Sequence, residues 1–441
     1  MKIKENMMKK TLCILALSFI FANAEEGVGL GQAYEMALTN DEGLKSMMYE
    51  TMAASERVWQ ATALLLPSVE LDYLYNGEKY DKVYEGKEKY RLDESFYKYG
   101  ITLRQQIFRP DLWINRLQEG LREEGYKITH ESTKQELASK VAKAYFDLAF
   151  ANKNLELATS YEEANKAKYE QMDKQLQMGL ANKMDTLEAK VRYDQAKLDV
   201  SVAKRQIEVA KLELAKLTGQ TVAVKNDVEK IKLDFFDSLS LTKYENVLEN
   251  FEYKQSEIVS QIATKEKLKR YAEFLPSADF SIGYSNYKYK DKENFGDEKK
   301  KVETMFRVSM PIFSSLHTVS RVQEGEYLKM SSLSKQLDTS RKVEIDQKTA
   351  VSEYKNYLAQ MKIMFSALET ARLYETAIER GYAEGLRSIV ELFDARARVY
   401  KTRIDALNTG HQLVLGYIML EYLVGGITPE TIHRLDGVFN Q

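Results

Sequence analysis

The chain has 441 residues, room for two or three domains, with 64 basic side chains set against 66 acidic ones. Such a balance excludes a broad nucleic-acid-binding surface, which needs a basic excess, so no nucleic acid is expected as a partner. Only five prolines occur, a scarcity that long helices require because an interior proline costs about 3 kcal/mol.

Residues 1–24 read as a secretory signal peptide. Four lysines against one acid precede the apolar run Thr11 to Phe21, and Ala22-Asn23-Ala24 supplies small residues for cleavage. The run is too short for a membrane anchor, which needs about 20 apolar residues. Cys13, the single cysteine, falls inside it. Lys10-Thr11-Leu12 before it is not a lipidation box, so no lipid anchor, disulfide or thiol chemistry is expected after cleavage. Cleavage would leave 60 basic and 65 acidic groups, a net charge of −5. Beyond residue 24 no apolar stretch is long enough for a membrane helix, so any insertion must be as a β-barrel.

The chain repeats itself. Leu66-Pro67-Ser68-Val69-Glu70 returns as Leu275-Pro276-Ser277-Ala278-Asp279, and Gln106-Ile107-Phe108 as Pro311-Ile312-Phe313. Gly179-Leu180 and Leu217-Thr218-Gly219 return 206 residues on as Gly385-Leu386 and Leu423-Val424-Gly425. A period of about 200 residues is a duplicated domain-sized unit rather than a solenoid. Repeat 1 (25–219) is expected to hold a helix over 30–66, strands over 68–76 and 97–108, a long helix over 113–178 and a return helix over 182–217. An irregular linker, 220–240, follows. Repeat 2 (241–426) has a helix over 241–275, strands over 278–288 and 302–312, a long helix over 315–384 and a return helix over 388–423, before a tail, 427–441.

The strands are called by period-two alternation with many aromatics: Val69, Leu71, Tyr73 and Tyr75, then Tyr97, Tyr99, Ile101 and Leu103, with Phe280, Ile282, Tyr284, Phe306, Val308 and Met310 in repeat 2. Flanking tyrosines and long polar connections, Gly77 to Ser95 and Lys290 to Lys301, suit a membrane barrel, although a soluble hairpin with a long loop has the same grammar. Pro110 and Pro311 are expected to open the long helices, and a glycine turns each back. The return helices carry apolar residues at coiled-coil spacing: Met184, Leu187, Val191, Leu198, Val202, Val209 and Leu212, then Ile389, Phe393, Tyr400, Ile404, Leu407, Val414 and Ile418. The fold class is therefore an α+β membrane protein of long antiparallel helical hairpins with four transmembrane strands per chain. Four strands cannot close a barrel, so several copies must share one; two would give eight strands and three would give twelve.

No catalytic, metal or cofactor motif emerges. The four histidines, His130, His317, His411 and His433, are scattered, and His411 reads as a packing residue. Met172, Met178 and Met184 gather near one turn, where filling a helix interface is the plainer reading than soft-metal handling.

The Leu-Pro-Ser, Gln-Ile-Phe, Pro-Ile-Phe and Gly-Leu elements, with the Gly385 to Ala395 run Gly-Leu-Arg-Ser-Ile-Val-Glu-Leu-Phe-Asp-Ala, resemble the TolC-like outer membrane efflux proteins across the mature chain. The resemblance implies a homotrimer with a twelve-strand barrel in the bacterial outer membrane, seated in its lipid, and a helical tunnel in the periplasm. It implies a passive, non-enzymatic exit duct for tripartite efflux or type I secretion. The duct would be fed through a periplasmic membrane-fusion adaptor by an inner-membrane pump of the RND, ABC or MFS type. It places adaptor docking at Gly179, Leu180, Gly385, Leu386 and Ser388, where simple helix capping is the competing reading. It makes Asp185, Tyr382 and Arg387 a latch between neighbouring hairpins, with Lys168 and Glu379 as a second link, although lysine departs from the usual amide there. Glu391 and Asp394 share a helix face and would form a pore ring of acids if that face lines the channel; a solvated face is the alternative. The rival to the whole reading is a periplasmic coiled-coil protein that forms no channel, for which the strand pairs would have no use.

Overall fold

The computed structural model describes residues 27–82, 90–225, 228, 231–289, 298–313 and 315–439, so the expected signal peptide lies outside the described residues. In chain order the elements are α1 (Leu30–Asn40), α2 (Glu42–Ala63), β1 (Ser68–Lys82), β2 (Tyr90–Phe108), α3 (Pro110–Gln177) and α4 (Lys183–Thr218). There follow α5 (Leu233–Asp237), α6 (Phe251–Tyr271), β3 (Ser277–Tyr289), β4 (Glu298–Ser309), α7 (His317–Ala383), α8 (Ile389–Leu423) and α9 (Pro429–Phe439). Among the described residues no helix is long and apolar enough to cross a membrane.

Several boundaries differ from expectation for local reasons. The helix expected over 30–66 is broken at Asp41, whose carboxylate accepts the Leu44 N–H at 2.6 Å and caps α2. The helix expected over 241–275 begins as two 3-10 turns, Leu241–Glu245 and Val247–Glu249, divided at Asn246, whose side chain accepts the Leu248 N–H. Pro110 is the first residue of α3, but Pro311 lies well before α7. Ser315 and Leu316, at φ of 51° and 65°, turn the chain into α7 instead. All the strands run longer than the aromatic pattern indicated towards the β1–β2 and β3–β4 connections, taking in charged residues such as Glu78, Lys79 and Lys299. The linker contains α5, and the tail contains α9.

The chain divides into two compact units. One comprises the chain to Ser46, Glu131–Phe251 and the chain from Arg341. Its core holds the fully buried Tyr145, Phe146, Phe236, Tyr244, Tyr354, Leu413 and Tyr417. Such side chains each bring about 1.5–3 kcal/mol of burial free energy. Three of the four tyrosine hydroxyls find partners: Tyr145 donates to the Val28 carbonyl at 3.0 Å and Tyr354 to that of Phe236 at 2.8 Å. Tyr244 donates to the buried Glu421 carboxylate at 2.6 Å. The unexpected α9 completes this core with Ile432, Leu435, Val438 and Phe439, an apolar face at helical spacing behind an N-terminal proline.

The other unit comprises Met47–His130 and Glu252–Ser340. It contains one antiparallel sheet in the order β1-β2-β3-β4. Register places Tyr73 opposite Tyr99, Tyr75 opposite Tyr97 and Leu71 opposite Ile101, so these side chains share a face. Ile282 and Tyr284 extend that face through β3, and Val302 and Phe306 through β4. Most of this face is exposed in the single chain, Leu71 at 81% and Val302 at 68% accessibility, while Tyr97, Leu103 and Phe280 are half-buried. The opposite face carries Glu70, Asp72, Lys98, Ser285 and Glu303, and a Lys98–Asp72 ion pair of 3.2 Å crosses it. The helices of this unit are joined by polar contacts: Arg270 to Glu324 at 2.6 Å, Arg321 to Glu273 at 2.8 Å and Gln118 to Glu266 at 3.0 Å.

Candidate gate and docking site at the hairpin tips

The helices α3 and α4 form one hairpin and α7 and α8 the other, and their turns are built alike. Gly179 and Gly385 both stand at φ of 72°, a left-handed conformation that costs an ordinary L-residue roughly 1–2 kcal/mol. In each turn the following leucine N–H reaches back five residues at 2.7 Å, Leu180 to the Gln175 carbonyl and Leu386 to that of Gly381. This geometry satisfies the last carbonyls of the long helix. It leaves the leucines outside, Leu180 at 74% and Leu386 at 75% accessibility. Capping and exposure therefore coexist at the expected docking residues.

The return helices start differently. Asn182 caps α4 through its side chain, which accepts the Met184 N–H at 3.0 Å. Ser388 and Glu391 form a full capping box on α8. One Glu391 carboxylate oxygen accepts the Ser388 N–H at 2.8 Å, and the other accepts from Arg387 at 2.9 Å. The backbone N–H of Ser388, then Arg387, holds the Glu391 carboxyl below its ordinary range. The Ser-x-x-Glu spacing that marks such a box is legible in the sequence, but Glu391 was expected as a pore acid instead.

Behind the turns the two hairpins pack on a small core of Met172, Ala189, Ile378, Ile389, Leu392, Phe393 and Ala395. Cross-hairpin contacts tie it together. Lys168 of α3 lies 3.3 Å from the Tyr382 hydroxyl and 4.4 Å from its ring centre. Tyr161 and Tyr400 stack in parallel at 4.2 Å. Arg192 of α4 donates to Asp394 of α8 at 2.9 Å and to Glu188 at 2.8 Å.

The expected site residues thus separate. The Lys168–Glu379 link is not formed within the chain: Glu379 accepts from Arg396 at 2.7 Å, one helix over in its own hairpin, while Lys168 takes Tyr382. Asp185, half-buried in the first turn of α4, makes no hydrogen bond or ion pair with any described residue. Arg387 is engaged with Glu391, not with Asp185. Glu391 and Asp394 do lie on one helix, yet each has its own guanidinium, so the expected pair of bare acids is two ion pairs. Arg192 was missed, because nothing local to it signals a partner 202 residues away. His411, expected to pack, does lie against Phe150 with ring centres 4.8 Å apart and planes tilted by 41°, and its Nε2 lies 2.7 Å from the Asp147 carboxylate.

Comparison with known proteins agrees with this architecture. The family model for outer membrane efflux proteins matches residues 33–220. The outer membrane protein TolC of Vibrio cholerae is 22% identical over 96% of this chain and 97% of its own length. The alkaline protease secretion protein AprF of Pseudomonas aeruginosa is 21% identical over 95% of this chain and 89% of its own. Among solved structures, the Campylobacter jejuni CmeC outer membrane channel superimposes with a TM-score of 0.75 at 16% identity, covering 93% of this chain and 90% of CmeC. The Vibrio cholerae outer membrane protein VceC gives 0.76 at 14%, covering 90% and 96%. Together with the duplicated strand pairs and Gly-Leu turns, these findings make the chain a homologue of TolC-like outer membrane efflux proteins over nearly its whole length, with residues 33–220 matching the family model.

Proposed function

We infer that this chain is one protomer of an outer-membrane exit duct, a passive conduit for efflux or secretion rather than an enzyme. The observation that carries the reading is the four-stranded sheet. It has one apolar face that is largely open, a face behind it where Glu70, Asp72, Lys98, Thr102, Ser285 and Glu303 outnumber Leu74, Phe96 and Tyr287, and unpaired edges at β1 and β4. Lipid accepts the first, a water-filled lumen the second, and only closure with further copies removes the third. A homotrimer of twelve strands satisfies all three and leaves a lumen. Exposed apolar residues along α4 fit the same assembly, since a neighbouring copy is the partner that would cover them.

The exposed Leu180 and Leu386 on their glycine turns fit docking by a periplasmic adaptor, with Gly179, Gly385 and Ser388 shaping the tips. An inner-membrane pump would deliver substrate through that adaptor. Asp185, whose carboxylate has no partner among the described residues, is available to a Tyr382 or Arg387 of a neighbouring copy, and that link would hold the entrance closed. The test is planar-bilayer recording. Asp185→Ala and Arg387→Ser are each expected to raise single-channel conductance severalfold; unchanged conductance in both would remove the latch. Failure of the purified wild-type protein to form any channel would remove the duct.

A further inference from the structure

We propose that Arg192 is a specificity-determining residue of the entrance, the counter-ion that halves its negative charge. The proposal rests on the duct reading and takes Asp394 at the pore-ring position that the family resemblance implies for it. Arg192 stands on α4, its Nε fixed by Glu188 one turn earlier at 2.8 Å, so its planar fork is already oriented when Nη2 meets Asp394 of α8 at 2.9 Å. The guanidinium is the more covered partner, 26% accessible against 60% for the Asp394 side chain. An ion approaching from solvent therefore meets the carboxylate first, with its counter-charge fixed behind it. The Tyr161–Tyr400 stack braces the same two hairpins close by, with ring planes 2° apart.

The local charge follows from the pairs. Glu188, Glu391 and Asp394 face Arg192 and Arg387, three carboxylates against two guanidiniums, leaving one net negative charge per chain. Removing the Arg192 charge leaves two. Charges in a passage act on ions within a Debye length, about 10 Å at 0.1 M salt and about 30 Å at 0.01 M, so the change reads most strongly at low salt. Arg192 lies on the first repeat and Asp394 on the second, so the duplicated halves share one selectivity element that neither contains alone.

The experiment measures reversal potentials of the full-length channel under a potassium chloride gradient. Wild type is compared with Arg192→Gln, Arg192→Lys, Asp394→Asn and the Arg192→Gln/Asp394→Asn double variant. Arg192→Gln is expected to raise the potassium-over-chloride permeability ratio about twofold or more at 0.01 M salt. Arg192→Lys should stay near wild type, and the double variant should lose the rise. If Arg192→Gln leaves the ratio unchanged while Asp394→Asn lowers it, the counter-ion role is overturned and the placement of Asp394 stands. If Asp394→Asn changes nothing in either background, Asp394 is off the path, and that reading fails instead. A rise that survives in the double variant assigns the freed charge to Glu188 and overturns the proposal. Arg192→Met, which keeps the apolar stem, repeats the measurement where the glutamine variant does not insert.

Discussion

The two return helices descend from one duplicated unit and use their apolar residues in opposite ways. On α8 the expected seam is largely buried: Ile389, Phe393, Leu407, Val414 and Ile418 all pack inside the chain. On α4 the matching seam is bare, with Met184 at 70%, Leu198 at 64% and Leu212 at 71% accessibility. The face that α4 buries is another one, lined by Ala189, Ala196, Val200, Ala203, Ile207, Ala210 and Leu214. Small residues let α4 lie close to its own chain and keep its larger side chains for a second contact. One pattern thus encodes a core in one repeat and an exposed apolar surface in the other. Spacing alone does not tell these apart.

Substitutions along the two seams should break the comparison most visibly. Phe393→Ala, at a position 1% accessible on the α8 seam, is expected to destabilise the folded chain by about 3–5 kcal/mol and lower its melting temperature. Leu198→Asp on the bare seam should leave the helical signal of the single chain intact, yet prevent the high-mass oligomer band that the proposed duct predicts for the wild type in unheated gel samples. Equal effects of the two on chain stability would erase the distinction between the helices.

A smaller effect tests what the tips share. Gly179→Ala and Gly385→Ala meet no steric obstacle, since nothing lies within 4 Å of the added carbon. The left-handed φ is then the whole cost, about 1–2 kcal/mol at each turn. Faster backbone exchange at the altered turn alone would confirm it, and the two turns should respond alike.

The smallest effect separates the tips again. Glu391 caps α8 as a carboxylate held below its ordinary value of 4.5. Because the folded value is the lower one, the cap's contribution is complete above about pH 4.5 and fades as pH falls through the depressed value. Corrected for the intrinsic pH dependence of exchange, amide protection over residues 386–392 should fall on acidification in the wild type, while Glu391→Ala should be less protected at neutral pH already and show no such step. The Asn182 cap of α4 has no titrating acid in this role and should show no such step.

Much of this organisation is legible in the residues. Strand phase follows from Tyr73, Tyr75, Tyr97 and Tyr99, because alternation by two admits one facing, and the register pairs these same side chains. The hairpin turns follow from Gly179 and Gly385, where the backbone requires a glycine. Strand ends were hidden because their outer turns are charged and look like loops; only pairing partners reveal them. Asp41 breaks a periodic run without disturbing its periodicity, so the pattern reads through a real boundary. Partners of Glu391 divide instructively. Ser388 was readable by spacing, whereas the Arg192–Asp394 bond joins two hairpins and exists only once both have folded.

The proposed duct requires the four-stranded sheet, unpaired at β1 and β4 in the single chain, to close with two further copies into one barrel. Native mass spectrometry of the protein extracted from outer membranes in mild detergent measures this directly. The predicted result is a complex of three mature chains that survives without denaturant and conducts ions on reconstitution. A monodisperse single chain with the same helical content, recovered from the membrane fraction, would contradict it.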